Sequence, residues 1–282
     1  MSVLAELSQL LVPLSDEFPV PPIARVCVPP HRPAPDKGSE FIALELADGS
    51  VGLAYALPHG ALDRIRADGL SDIPGRDPTM LLGRSDAGDP IGRVLRLASA
   101  NAVSQWLFRL AGFSLDFVTD SLAELAFSPG DRAGMVGYFP PLVRHLRRQG
   151  IDLTVLELKQ ALMQRAERFR VVSDPSALAG CNKVLCTSTV LLDDSLRQAL
   201  AYCTGATVAV IGPGAGMVPD PLFARGVAIV GGIRILRPIR FNRLCRRGES
   251  WGESGRKYCI RASAYPGFPA LLGAARSRDG AN

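Results

Sequence analysis

A strand, a tight turn and a helix start follow one another directly at Arg132-Ala133-Gly134-Met135-Val136-Gly137-Tyr138-Phe139-Pro140-Pro141. Ala133 to Val136 is a short apolar run, which suits a parallel strand covered on both faces. Gly137 permits the sharp turn out of the sheet. Pro140 or Pro141 can take the first helical position, where a missing N–H costs little. Leu142, Val143 and Leu146 then mark one face of a helix that ends near Gly150. This is the first half of a β-α-β unit, and the chain continues the alternation. Leu153 to Leu156 reads as strand two, ending at Glu157, and Lys159 to Arg168 as a helix. Lys183 to Thr187 reads as strand three and leads into Ser188 and Thr189. Asp193 or Asp194 caps the helix carrying Leu196 and Leu200. Thr207 to Ile211 reads as strand four, opening into Gly212-Pro213-Gly214-Ala215-Gly216. A short helix at Pro221 to Ala224 precedes strand five at Val227 to Val230. Strands alternating with helices imply an α/β fold, a Rossmann-like parallel sheet with right-handed crossovers, here expected in the order 3-2-1-4-5.

The chain has 282 residues, more than one small core usually organises, so two domains are expected. Ser2 to Leu14 has helical spacing of apolar residues, ended by Pro13. Ala24 to Val28, Phe41 to Leu46 and Val51 to Ala56 read as strands, the last two joined at Asp48-Gly49, a good hairpin turn. Ala61 to Ala67 reads as a short helix, and Gly69 to Pro90 as a loop rich in Gly, Pro and Asp. Ile91 to Leu110 is a strong helix whose small residues at 98, 100 and 102 allow close packing, with Asn101 among them. Residues 1–119 are therefore assigned to an α+β domain with a small antiparallel sheet. Residues 120–240 are assigned to the parallel-sheet domain, and residues 241–282 to a basic, loosely structured extension.

The composition, 47% hydrophobic and 21% charged, is that of an ordinary globular protein. The formal charge is +5, with much of the excess after Gly231. A basic tail can attract nucleic acid or anionic membrane. No aromatic-rich RNA motif, helix-turn-helix spacing or zinc-finger spacing accompanies it, so specific nucleic-acid binding is not expected. Cys27, Cys181, Cys186, Cys203, Cys245 and Cys259 include no Cys-x-x-Cys pair, which fits reduced thiols in a cytoplasmic protein better than a disulfide framework. The N-terminus carries Glu6, Asp16 and Glu17 and lacks a basic-then-apolar signal pattern. No apolar run approaches the roughly 20 residues needed to span a bilayer.

In parallel sheets ligands bind beyond the carboxyl ends of the strands, where the strand order reverses. That rule selects Gly137, Tyr138 and Phe139, then Glu157, then Thr187, Ser188 and Thr189, then Gly212, Gly214 and Gly216. The three glycines leave backbone N–H groups free of side-chain cover, as a carboxylate or phosphate site requires. The hydroxyls at 187–189 can donate or accept. Asn101 has two readings, a hydrogen-bonded core residue or a ligand contact from the first domain. Glu157 stands where a dinucleotide site places its ribose-binding acid. Yet the third glycine of that pattern is missing, and Tyr138 and Phe139 occupy the place where backbone approaches pyrophosphate, so NAD is not expected. No Lys-Ser or Lys-Thr follows Gly216, which excludes a P-loop, and Gly-x-Ser-x-Gly is absent. His31, His59 and His145 are scattered, Cys181 and Cys186 flank strand three, and Asp193, Asp194 and Asp220 are as well explained by caps. No tight metal-ligand spacing is present.

Gly134-Met-Val-Gly-Tyr-Phe-Pro-Pro-Leu, Val155-Leu-Glu-Leu, Val184 to Leu196, and Ile211-Gly-Pro with Pro219-Asp-Pro-Leu-Phe-Ala-Arg-Gly-Val resemble the heavy-metal-chelation family, bacterial and archaeal proteins of poorly defined function. The resemblance covers Ser121 to Leu236 well. It rests in the first domain on Val51-Gly-Leu-Ala and Ala98 to Ala102, and leaves out the basic tail after Leu236. It implies an N-terminal domain like the small enolase N-terminal fold, a Rossmann-like C-terminal domain and a site between them. The chain departs from the family at two places. Ser188-Thr189-Val190-Leu191-Leu192-Asp193 replaces a Gly-Thr-Thr-Leu-Val-Asn run, and Gly212-Pro213-Gly214-Ala215-Gly216 replaces Gly-Pro-Ser-Thr-Pro.

The resemblance implies binding of a metal ion or a metal–chelator complex in the interdomain cleft, with a transition-metal ion as the cofactor. Tyr138 and Phe139 would wall the pocket. The 212–216 loop would hold an anionic group, and Glu157, Thr187, Thr189 and Asn101 would orient it. The alternatives are an enzyme acting on a small anionic metabolite with a nucleotide-type cofactor, for which Glu157 and His145 are the titratable candidates, and a non-catalytic interaction protein. The partner expected is a small anionic ligand or metal chelate, with no membrane; a homodimer is compatible with this reading.

Overall fold

Helix Pro90–Leu110 has small or apolar residues on nearly every side, and such a helix must be buried. In the computed structural model every residue from Val94 to Phe108 is buried. The structure describes residues 1–31, 40–56, 60–83, 89–138, 140–157, 170–193 and 195–280. The expected helix Lys159 to Arg168, together with His59, Phe139 and Asp194, lies outside them.

Along the chain, helices α1 (Val3–Leu11) and α2 (Leu14–Glu17) precede strands β1 (Ile23–Cys27), β2 (Phe41–Leu46) and β3 (Val51–Tyr55). Helices α3 (Ala61–Asp68) and α4 (Thr79–Leu82) lead into α5 (Pro90–Leu110). The second half runs β4 (Arg132–Val136), α6 (Pro140–Gln149), β5 (Asp152–Leu156), β6 (Arg170–Val172), β7 (Lys183–Thr187), α7 (Ser195–Leu200) and β8 (Thr207–Ile211). It closes with α8 (Asp220–Phe223), β9 (Val227–Ile235), α9 (Pro238–Arg246), β10 (Gly255–Arg261) and α10 (Phe268–Asp279). Helix α4 falls inside the stretch expected to be loop. Among the described residues no helix is long and apolar enough to cross a membrane.

The first sheet is antiparallel, in the order β1-β2-β3. Its hairpin turns at Asp48-Gly49, where Gly49 has a positive φ and Asp48 Oδ1 accepts from Ser50 N at 2.9 Å. The second sheet has the order β10-β9-β8-β7-β4-β5-β6, parallel throughout except for β10. Numbered from β4, its parallel strands run 3-2-1-4-5-6, which contains the expected order. One strand is reassigned: the third position belongs to β6, and Lys183–Thr187 pairs directly with β4 instead. The three-residue β6 is too short to stand out as a strand in the sequence. The order reverses between β4 and β7.

Alternate residues of the central strands feed two cores. Val184 and Cys186 point into the cluster shared with α5 and the first domain, whereas Leu185 points into the opposite cluster with Val143 and Leu146 of α6. Within the expected basic extension, 241–282, the described residues 241–280 are not loose. Helix α9 covers the outer face of the first sheet through Phe241 and Cys245, β10 pairs along β9, and α10 packs on α5. The basic residues that suggested a loose tail lie mainly on outer surfaces: Arg256 and Lys257 are exposed while Tyr258 to Ile260 are buried. Charges on an edge strand deter pairing with other chains.

Strand β3 reaches α5 only because position 52 is glycine. A Cβ there would stand 2.0 Å from Ala98 O and 2.3 Å from Ala102 N, both backbone atoms that cannot step aside. Gly52→Ala is therefore expected to lower the stability read from urea unfolding by more than about 3 kcal/mol. Gly180→Ala, where a Cβ meets nothing within 4 Å, is the control and should stay within about 0.5 kcal/mol of the parent.

Candidate functional site

The reversal of strand order places the carboxyl ends of β4 and β7 side by side, the position where such sheets bind ligands. Gly137 leaves β4 with φ +78°, and a Cβ on it would lie 2.3 Å from Thr187 Oγ1. Only glycine combines that backbone with that neighbour. Thr187 Oγ1 donates to Val136 O at 3.2 Å and shares a 2.7 Å hydroxyl–hydroxyl bond with Thr189 Oγ1. At the end of β5, Glu157 is 9% exposed, and its Oε2 accepts from Tyr138 N at 3.1 Å. The turn after β4 is thus held by the residue after β5, and the threonines after β7 press on it from the other side. Phe139 lies outside the described residues.

The first domain reaches the same place through Tyr55, the last residue of β3. Burial pushes the Tyr55 phenol up, and the Glu40 and Glu157 carboxylates push it further, with Glu40 also hydrogen-bonded to it. Tyr55 therefore remains protonated at neutral pH, hydrogen-bonded to Glu40 and within electrostatic reach of Glu157. Neither Tyr55 nor Glu40 was selected by sequence reasoning. The one available signal was the aromatic, polar residue closing an otherwise apolar strand.

The 212–216 loop serves differently from the free anion cradle expected of it. Gly212 N donates to Gly231 O at 2.9 Å, Gly214 N to Ser188 Oγ at 3.2 Å and Ala215 N to Gly212 O at 3.0 Å. Its carbonyls are gripped from α5. Asn101 Nδ2 donates to Gly214 O at 2.9 Å and to Leu53 O at 2.7 Å, and Gln105 Nε2 donates to Gly216 O at 2.7 Å. Ser104 Oγ accepts from Val218 N at 3.0 Å. Positions 101, 104 and 105 share one helix face, so α5 is stitched along its length to the loop after β8. Gln105 also bonds the Tyr258 hydroxyl at 3.0 Å and accepts from Arg234 Nε at 2.9 Å. Asn101 Oδ1 is buried and has no hydrogen-bond partner. Both amide hydrogens are committed to carbonyls, so this oxygen is the one acceptor Asn101 has left.

The described donors do not fit a bare heavy-metal ion. Among the described residues no three His, Cys, Asp or Glu side chains gather into a metal-holding group. All six cysteines are free and buried. Burial raises the thiols of Cys181, Cys186 and Cys203, the last to about 11. Asp193 caps α7 through Ser195 N at 2.9 Å, and Asp220 accepts from Tyr265 Oη at 2.6 Å and Phe268 N at 2.7 Å. His145 lies on α6 and His31 before β2, away from any such group. What lies at the switch point is oxygen chemistry: the Glu157 carboxylate and the hydroxyls of Thr187 and Thr189, with the Tyr55 phenol within electrostatic reach of Glu157.

No curated protein matches the chain. A protein of unknown function from Pyrococcus horikoshii, of the DUF364 family, superposes with a TM-score of 0.63 at 18% identity, covering 92% of this chain and 99% of its own. A second DUF364 protein of unknown function, from Desulfitobacterium hafniense, gives 0.66 at 16% identity, covering 92% of this chain and 98% of its own. At these identities the likeness is one of fold, and it spans both sheets. The sequence model of DUF364, described as "Putative heavy-metal chelation", matches residues 120–263, and so runs through α9 and β10, past the Leu236 limit of the motifs. With half of its length matched by that model, the chain belongs to the DUF364 family.

Proposed function

We propose that the chain binds a small oxygen-rich molecule, a metal–chelator complex, in the cleft between the two sheets. The observation that carries this reading is the electrostatic coupling of Tyr55, which ends the first sheet, to Glu157, whose carboxylate holds the turn at the point where the strand order reverses. The family description supports the metal, and the donor set supports the chelator. Hydroxyls and one carboxylate recognise an organic ligand well, whereas a soft ion prefers thiolate or imidazole. Tyr138 and the half-buried Thr187 and Thr189 would line the pocket. Tyr55 Oη and Glu157 would accept hydrogen bonds from the ligand, and Asn101 Oδ1 would be a reserve acceptor buried behind the 212–216 loop. The turns at Gly137 and at Gly212, Gly214 and Gly216, with Ser188, would form the floor.

The test is native mass spectrometry with elemental analysis, on protein purified without an affinity metal column. Nickel, cobalt and copper are offered singly and as their citrate complexes. One complex per chain is expected, with the bare ions binding at least about tenfold more weakly. Glu157→Gln should weaken the complex by about tenfold, the worth of one hydrogen bond to a charged group. Equal binding of the bare ion and its complex, or binding indifferent to Glu157→Gln, would contradict the reading.

A further inference from the structure

The basic surplus of this chain is concentrated on one folded face. Residues 237–247 hold five arginines, Arg237, Arg240, Arg243, Arg246 and Arg247, and no acid. That equals the formal charge of +5 on the whole chain, so the other residues together are neutral. Helix α9 turns Phe241, Asn242 and Cys245 inward. At about 3.6 residues per turn, positions 239, 240, 243, 246 and 247 fall on the opposite side. Ile239, Arg243, Arg246 and Arg247 are exposed there. Arg240 pairs with Glu253 at 2.6 Å, a carboxylate that is itself 82% exposed. Among the described residues no carboxylate pairs with Arg237, Arg243 or Arg246. Like charges one helical turn apart repel one another, a cost that a bound polyanion relieves.

Apolar side chains stand among these charges. Ile239 is 87% exposed and Leu236 is 50% exposed. With Arg237, Pro238, Arg240 and Arg243 they line one open groove of about 480 Å³. Any occupant must therefore offer anionic groups and an apolar phase side by side. Nucleic acid offers the first without the second, and the aromatic residues that could stack on bases, Phe241, Trp251 and Tyr258, are buried. A second copy docked by a two-fold axis would set five arginines against five. A folded acidic partner would need carboxylates spaced to match, and walls to close around an isoleucine that projects almost fully. Lipid phosphates move laterally to meet the charges, and the acyl boundary closes around any projecting side chain.

We propose that this face docks on the surface of a bilayer containing anionic phospholipid. Ile239 and Leu236 enter the boundary between headgroups and acyl chains, and the arginines around them take the lipid phosphates. A guanidinium fork matches phosphate, and its stem can lie along apolar surface while the charge stays in water. The attachment is peripheral: among the described residues no helix is long and apolar enough to cross a membrane. The bilayer is a second partner, and the proposal does not rest on the ligand of the cleft.

The experiment is flotation of the full-length protein with vesicles of phosphatidylcholine, alone or mixed with phosphatidylglycerol. Binding to the mixed vesicles is expected to exceed that to the neutral ones by at least about tenfold, and to weaken as salt is raised. Arg243→Ala and Arg246→Ala together should weaken it by about fivefold for each arginine removed. Ile239→Ser should weaken it by about tenfold. Arg64→Ala, at an exposed arginine of α3, is the control and should change nothing. The comparison of the two vesicle types with the unsubstituted protein decides the matter even if a variant folds poorly. Equal binding to both vesicle types, an equal loss in the control, or indifference to Ile239→Ser would overturn the proposal. So would tighter retention by duplex DNA or polyglutamate, or release by inorganic phosphate beyond that caused by sodium chloride at equal ionic strength.

Discussion

Helix α5 has no face left for water, and that constraint shapes both halves of the molecule. A helix packed between two sheets must keep its backbones close and satisfy each polar side chain within the protein. Ala98 and Ala102 meet the first requirement, helped by Gly52 on the facing strand. Ser104 and Gln105 meet the second by bonding the loop after β8, and Asn101 meets it with both amide hydrogens, to that loop and to Leu53 O, leaving only its Oδ1 unpaired. One asparagine thus ties the first sheet to the loop after β8. The two sheets are joined through a shared core more than through a surface contact, since residues from both occupy a single apolar cluster.

The candidate site inherits its rigidity from this arrangement. The turns after β4, β7 and β8 lock into one another, Gly137 against Thr187 and Gly212 against Ser188, with distances that leave no room for a side chain on either glycine. Pre-set turns of this kind lower the cost of ordering a site around its ligand. Tyr55 joins them from the first sheet because α5 fixes how that sheet sits over the strand ends. The proposed site would therefore be composite, with oxygen donors supplied by both halves.

Much of this arrangement could be read from local pattern. The short apolar strands, Asp48-Gly49 and the positive-φ turn at Gly137 are local signals, and they were legible. Four features were not, each for a physical reason. Arg170–Val172 is too short to carry a period, so the third sheet position went to the wrong segment. In Gly255–Arg261 charged residues on the outer side mask a strand that buries Tyr258, Cys259 and Ile260. The glycines at 212–216 looked like an anion cradle because sequence shows which amides lack side-chain cover, but not which carbonyls lie opposite them. Here Gly231 O and Ser188 Oγ already take two of those amides. Tyr55 went unnoticed because its coupling to Glu157 is a long-range fact absent from either segment.

The shared core is tested most directly by native-state hydrogen exchange in sub-denaturing urea. If α5 is common to both halves, its amides, those of β2 and β3, and those of β4, β7 and β8 will open with one free energy equal to that of global unfolding. The first sheet and α5 exchanging together at lower urea, while the parallel strands keep their protection, would contradict the account and make the two halves separable units.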